Sequence, residues 1–136
     1  LCHTKLSSEK VVYSNCKGAN LYKANLVRVN LHKVNLNKVN LGKANLNEAN
    51  LSKANLSEAS LIEANLTAAN LNYANMRKTN LRKADLTGAN LTGVDLQGAD
   101  LYGADLMKAN LNNAKLDGTN FCKTRMPDGE KNNSDC

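Results

Sequence analysis

Apolar side chains return every fifth residue along this chain, from Leu21 to Phe121. Of those 21 positions nineteen are Leu, and Met76 and Phe121 are the exceptions. Two residues before each stands Ala, Val or Thr, and immediately before stands Asn or Asp, except at Ser60 and Lys115. A period of five matches neither the 3.6 of a helix nor the 2 of a strand, so each unit must both extend and turn.

A short extended stretch puts alternate side chains on one face, so Ala19 and Leu21 are expected inside and Asn20 outside. The next two residues, Tyr22 and Lys23 in the first unit, must turn the chain before Ala24. Gly18, Gly88, Gly93, Gly98, Gly103 and Gly118 all occupy the second of these corner positions. Glycine suits that place because a type II turn needs positive φ there. The period by itself permits either a three-sided or a four-sided coil.

Units such as "ANLNEANLSKANL" and "GADLYGADL" resemble the A-(N/D)-L-x-x repeat of the pentapeptide-repeat proteins, over residues 14–126. The resemblance implies an all-β fold, a right-handed quadrilateral β-helix (a solenoid) with 20 residues in each circuit. Residues 20 apart then stack into columns: Leu21, Leu41, Leu61, Leu81, Leu101 and Phe121 in one, and Cys16, Leu36, Leu56, Met76, Leu96 and Leu116 in another. Three parts are expected: a cap at 1–13, for which a short helix is one possible form, the repeat at 14–126, and a C-terminal cap or tail at 127–136 that opens with a Pro-Asp-Gly turn. The tail "NFCKTRMPDGEKNNSDC" is similar to that of a subgroup found in the thylakoid lumen or periplasm of cyanobacteria and the chloroplast lumen of plants. That similarity implies a compartment and no biochemical activity.

Composition narrows the picture further. Hydrophobic content is 42 %, concentrated in Leu and Ala at fixed positions, which is too regular for a disordered tract. No apolar run approaches the roughly 18 residues of a membrane span. The chain begins at Leu1 without an initiator Met, which fits either a removed leader, taken here as the expectation, or a start set by trimming. Four cysteines lie in terminal pairs, Cys2 with Cys16 and Cys122 with Cys136, and read as two disulfides in an oxidising compartment; four free thiols are the alternative. Each bridge would tie a cap over an end of the stack, favouring a monomer or a side-by-side homodimer over a fibre.

The net charge of +6 lies wholly in residues 1–60, while residues 61–136 balance to zero. Lys23, Arg28, Lys33, Lys38, Lys43 and Lys53 fall on different sides and form a collar, so attraction to polyanions is expected but no specific nucleic-acid recognition. Some pentapeptide-repeat proteins imitate DNA with an acidic rod and bind topoisomerases; the basic charge disfavours that alternative.

No catalytic constellation emerges. His3 and His32 are the only histidines, and nothing brings either into a triad. Cys2, His3 and Cys16 match no standard zinc spacing, so neither a metal nor a cofactor is expected. Two surface features remain. Tyr22, Ile62 and Tyr102 share a corner column with Gly42 and Arg82, and form a candidate strip for an unidentified protein partner. Asp85 and Asp105 fall one inter-strand spacing apart, as candidate coupled carboxylates sensitive to pH or cations. The sequence thus implies a non-enzymatic structural or protein-interaction module.

Overall fold

The computed structural model describes residues 2, 4–7, 10–13 and 15–136. Among the described residues, strands occur only near the two ends. β1 (Thr4–Ser7) pairs antiparallel with β2 (Lys10–Tyr13), in a register running from Thr4 opposite Tyr13 to Ser7 opposite Lys10. β3 (Thr124–Arg125) pairs antiparallel with β4 (Lys131–Asn132). Between β2 and β3, two-residue turns alternate with isolated parallel bridges that join residues 20 apart, from Asn15 with Asn35 to Asp105 with Arg125.

The expected all-β right-handed quadrilateral β-helix is therefore corrected. The described residues form two separate two-stranded sheets, and no sheet closes or winds around the repeat. The physical reason is the length of the extended stretch. A turn follows every Leu, so only one residue in five enters a bridge and no two successive residues build a ladder. The short helix considered for 1–13 is likewise replaced by the β1–β2 pair.

What holds the repeat together is a nearly complete satisfaction of backbone donors, and the Leu56 unit illustrates it. Asn55 N–H donates to Val34 O at 3.0 Å, Leu56 N–H to Asn75 O at 2.7 Å, and Glu58 N–H to Arg77 O at 2.9 Å. Ala59 N–H closes the turn onto Leu56 O at 3.0 Å. The fifth donor, Ser57 N–H, goes to the Asn55 side-chain oxygen at 3.1 Å. Three of the five bonds thus reach neighbouring levels of the stack and two stay within the unit, leaving no donor to be buried unpaired.

The Leu side chains line a dry interior. Leu36, Leu41, Leu46, Leu51, Leu56, Leu61 and Leu66 are fully buried, as is Met76. Each such side chain contributes about 1.5–3 kcal/mol relative to exposure, before conformational entropy is subtracted. Leu111 and Leu116, near the C-terminal end, are only partly covered. Where Thr replaces Ala, its buried hydroxyl is satisfied by the level before: Thr79 Oγ1 donates to Leu56 O at 2.8 Å, and Thr124 Oγ1 to Leu101 O at 2.6 Å.

The second corner residue does take positive φ, but glycine is not a requirement for it. Sixteen non-glycine residues, from Lys23 to Lys123, share that conformation with φ between 54° and 60°. After the last unit the chain turns at Pro127–Gly129, with Gly129 N–H on Met126 O at 2.8 Å, and returns as β4.

Candidate functional site

The bridge series Asn20, Asn40, Ser60, Asn80 and Asp100 keeps one edge of the stack in register. The corner residues two positions later, Tyr22, Gly42, Ile62, Arg82 and Tyr102, consequently form one column on the outside. Tyr22 is 47 % exposed and Ile62 36 %. Tyr22 leans over Gly42, whose missing side chain leaves room for the ring; a Cβ there would stand 3.1 Å from Tyr22 Cδ2. Further along the column, Arg82 stacks on the Tyr102 ring with 4.4 Å to its centroid, and reaches Asp100 Oδ2 at 2.9 Å. The column therefore has an apolar half around Tyr22 and Ile62 and a cationic half around Tyr102. Tyr73, 58 % exposed and lying over Gly93, is an outer aromatic that the column reading missed. Its spacing of 20 from Gly93 is the signal that could have found it.

Tyr102 adjoins a cavity of about 390 Å³ lined by Lys83, Gly103, Asp105, Lys123, Arg125 and Lys131. Lys123 also lies over the ring, 5.4 Å from its centroid. A hydrogen bond from Lys123 and its charge, with smaller contributions from Arg82 and Lys83, hold the Tyr102 phenol below its ordinary pKa. Lys123, Arg125 and Lys131 belong to the half of the chain whose charges cancel in sum, which is why counting by halves concealed the cluster.

Asp85 and Asp105 are direct bridge partners. Each turns one oxygen inward to its own corner, Asp85 Oδ1 accepting from Thr87 N–H at 3.0 Å and Asp105 Oδ1 from Met107 N–H at 2.9 Å. The other Asp105 oxygen stands 3.4 Å from Arg125 Nη1, so Asp105 already has a cation beside it. The same corner bond recurs through most units, as between Asn35 Oδ1 and Asn37 N–H or Asn70 Oδ1 and Asn72 N–H. This role of Asn and Asp, local fastening of a turn, is the one a purely outward-pointing reading overlooked.

Cys2 is joined to Cys16 and Cys122 to Cys136, each pair with its Cα atoms 4.9 Å apart. With their sulfurs so occupied, Cys2 and Cys16 are not zinc ligands, and His3 lies outside the described residues. His32 Nδ1 is 2.7 Å from Ser52 Oγ, whose hydroxyl donates to Asn50 Oδ1 at 2.6 Å. Among the described residues no group of three or more His, Cys, Asp or Glu is placed to hold a metal ion, and no helix is long and apolar enough to cross a membrane. In the basic collar, Arg28 faces Glu48 at 2.8 Å, Lys43 faces Glu63 at 3.5 Å and Lys38 faces Glu58 at 4.0 Å. Half of the collar's six cations thus have a carboxylate one level away.

Comparison with known proteins follows the repeat. The family model for pentapeptide repeats matches residues 14–52, 49–88 and 84–122. The chain is similar to the crystal structure of the pentapeptide-repeat protein Rfr23 from the cyanobacterium Cyanothece 51142. Identity is 33 % over 83 % of this chain and 88 % of that one, with a TM-score of 0.77. It is also similar to alr5209, a pentapeptide-repeat protein of Nostoc PCC 7120, at 47 % identity over 55 % of this chain and 62 % of that one, TM-score 0.55. A pentapeptide-repeat protein of the Arabidopsis thaliana thylakoid lumen, AT2G44920, shares 25 % identity over 85 % of this chain and 70 % of its own, TM-score 0.55. No match is found among curated proteins.

Proposed function

Because the chain belongs to the pentapeptide-repeat family, we propose that it is a structural or protein-interaction module that engages a protein partner through its outer faces. We read it as non-enzymatic: leucine fills the interior, and in the His32–Ser52 pair, 2.7 Å apart, the Ser52 hydroxyl is committed to fastening its own corner on Asn50 Oδ1. The observation that supports the partner reading is the column in which exposed Tyr22 and Ile62 align with the half-buried Tyr102. In this reading residues 1–13 and 127–136 act as caps that keep the stack a monomer or a side-by-side homodimer. The net charge of +6 argues against imitation of DNA and against an acidic face for a topoisomerase.

The two disulfides and the likeness to a thylakoid-lumen protein support an oxidising compartment outside the cytoplasm. We take the thylakoid lumen or a periplasm as the specific compartment.

The test is proximity labelling in the native compartment with wild type and a Tyr22→Ser/Tyr102→Ser variant, alongside the mass of each in solution. Loss of a discrete set of labelled neighbours in a folded variant supports the reading. Identical labelling and identical mass overturn it.

A further inference from the structure

The column of second corner residues that borders the cavity reads Lys23, Lys43, Glu63, Lys83, Gly103 and Lys123. In its upper part Lys43 is neutralised by Glu63 at 3.5 Å. Lower down, Lys83 and Lys123 flank a glycine, and among the described residues no carboxylate lies within 4.0 Å of either, or of Lys131. Two levels of the stack separate Lys83 from Lys123, about 10 Å of backbone. Gly103 contributes no side chain to that gap, and a Cβ there would meet Lys83 Cγ at 3.5 Å. Gly103 thus lines the cavity between Lys83 and Lys123 with no side chain of its own.

We propose that this notch binds a tetrahedral dianion, inorganic phosphate or a phosphomonoester, held by Lys83, Lys123, Arg125 and Lys131. Four cations line the cavity against one carboxylate, Asp105, which meets a single guanidinium nitrogen of Arg125. The remaining guanidinium donors and three ammonium groups offer more N–H bonds than chloride or one carboxylate can use. A phosphomonoester brings a charge of about −1.5 to −2 and three acceptor oxygens, which matches that donor excess. Tyr102, with Lys123 Nζ 5.4 Å from its ring centroid, also borders the cavity. The notch shares Tyr102 with the proposed contact column but does not rest on that reading, since the cations that would hold the anion lie outside the column.

The test is an amide NMR titration of the full oxidised chain with inorganic phosphate and, separately, O-phosphoserine, against sodium chloride and sodium acetate at matched ionic strength. Saturable shifts centred on Gly103, Ala104 and Lys123 are expected with the phosphates alone. A Lys123→Gln/Lys131→Gln variant should weaken the affinity by at least about tenfold, while Lys53→Gln, on the distant collar, leaves it unchanged. Saturation by inorganic phosphate only identifies the free ion as ligand, and equal or tighter binding of O-phosphoserine identifies an ester. Shifts that never saturate, shifts spread equally over the Lys23–Lys53 collar, or an unchanged affinity in the double variant overturn the proposal. If the double variant loses its dispersed spectrum, Lys131→Gln alone, at an exposed residue of β4, must weaken binding several-fold, and an unchanged affinity there also overturns it.

Discussion

The Tyr73 ring lies directly against the backbone of Gly93, one level further along the stack; a Cβ on Gly93 would collide with Tyr73 Cε1 and Cδ1. Gly88 has the same backbone conformation, φ 67° against 66° at Gly93, but nothing within 4 Å of its Cβ direction. The two glycines therefore separate the cost of left-handed backbone from the cost of lost space. Gly88→Ala should destabilise by about 1 kcal/mol. Gly93→Ala should cost roughly 0.5–1.5 kcal/mol more, since the Tyr73 ring must swing away. Urea denaturation of both, with Tyr73→Ser added to each, checks this: the extra cost disappears in the Ser background if the contact is its cause.

The corner bond from Asn or Asp predicts opposite effects at two neighbouring units. Asn55 Oδ1 accepts from both Ser57 N–H and Ser57 Oγ, at 3.1 and 2.7 Å. Asn55→Ala should lose about 1 kcal/mol. Ser60 stands in the same place one unit later, and Ser60→Asn should gain roughly 0.5–1 kcal/mol by fastening Ile62 N–H. Equal stability of both variants and wild type in chemical denaturation would remove the Asx bond as a determinant of the turn.

The tail is tied down by the Cys122–Cys136 bridge and by Phe121 N–H on Asp135 Oδ2 at 2.9 Å. Replacing both cysteines by Ser should cost about 3 kcal/mol in the loop-entropy account, and Cys2/Cys16 a similar amount. Denaturation midpoints with and without reductant provide the measurement. A reductant-insensitive midpoint for wild type contradicts a stabilising role for the bridges.

Ionisation of Tyr102 should begin at lower pH than the ordinary tyrosine range, because Lys123 favours its phenolate. Lys123→Gln removes the largest cause and should return the phenol toward the ordinary value of about 10. Arg82→Gln should move it less. Near-ultraviolet titration, with Tyr102→Phe subtracted to isolate this ring, shows the direction; no upward movement in Lys123→Gln refutes the assignment.

The burial of Leu41, Leu61 and Leu81 is legible because every fifth position is apolar and its neighbours are polar. The alignment of Tyr22 with Ile62 is legible once residues 20 apart are superimposed. The secondary structure was misjudged because one bridging residue per unit, as at Asn45 or Asn65, is too little for a strand. Positive φ at the second corner position is legible from the turn, while its adoption by Lys53 and Glu58, residues with a Cβ, is seen only in the structure. The notch at Gly103 went unseen because it needs Lys83, Lys123, Arg125 and Lys131 together, and the last arrives only through the β3–β4 pairing.

The amino-acid order by itself determined which side chains leave water and where the chain must bend, since both depend on hydropathy and turn chemistry within five consecutive residues. Only the tertiary structure decided which corner residues meet across the stack, whether Tyr73 with Gly93, Lys43 with Glu63, or Arg82 with Tyr102. Those encounters depend on the offset between levels, on side-chain rotamers and on the path of the tail, none of which a local pattern encodes.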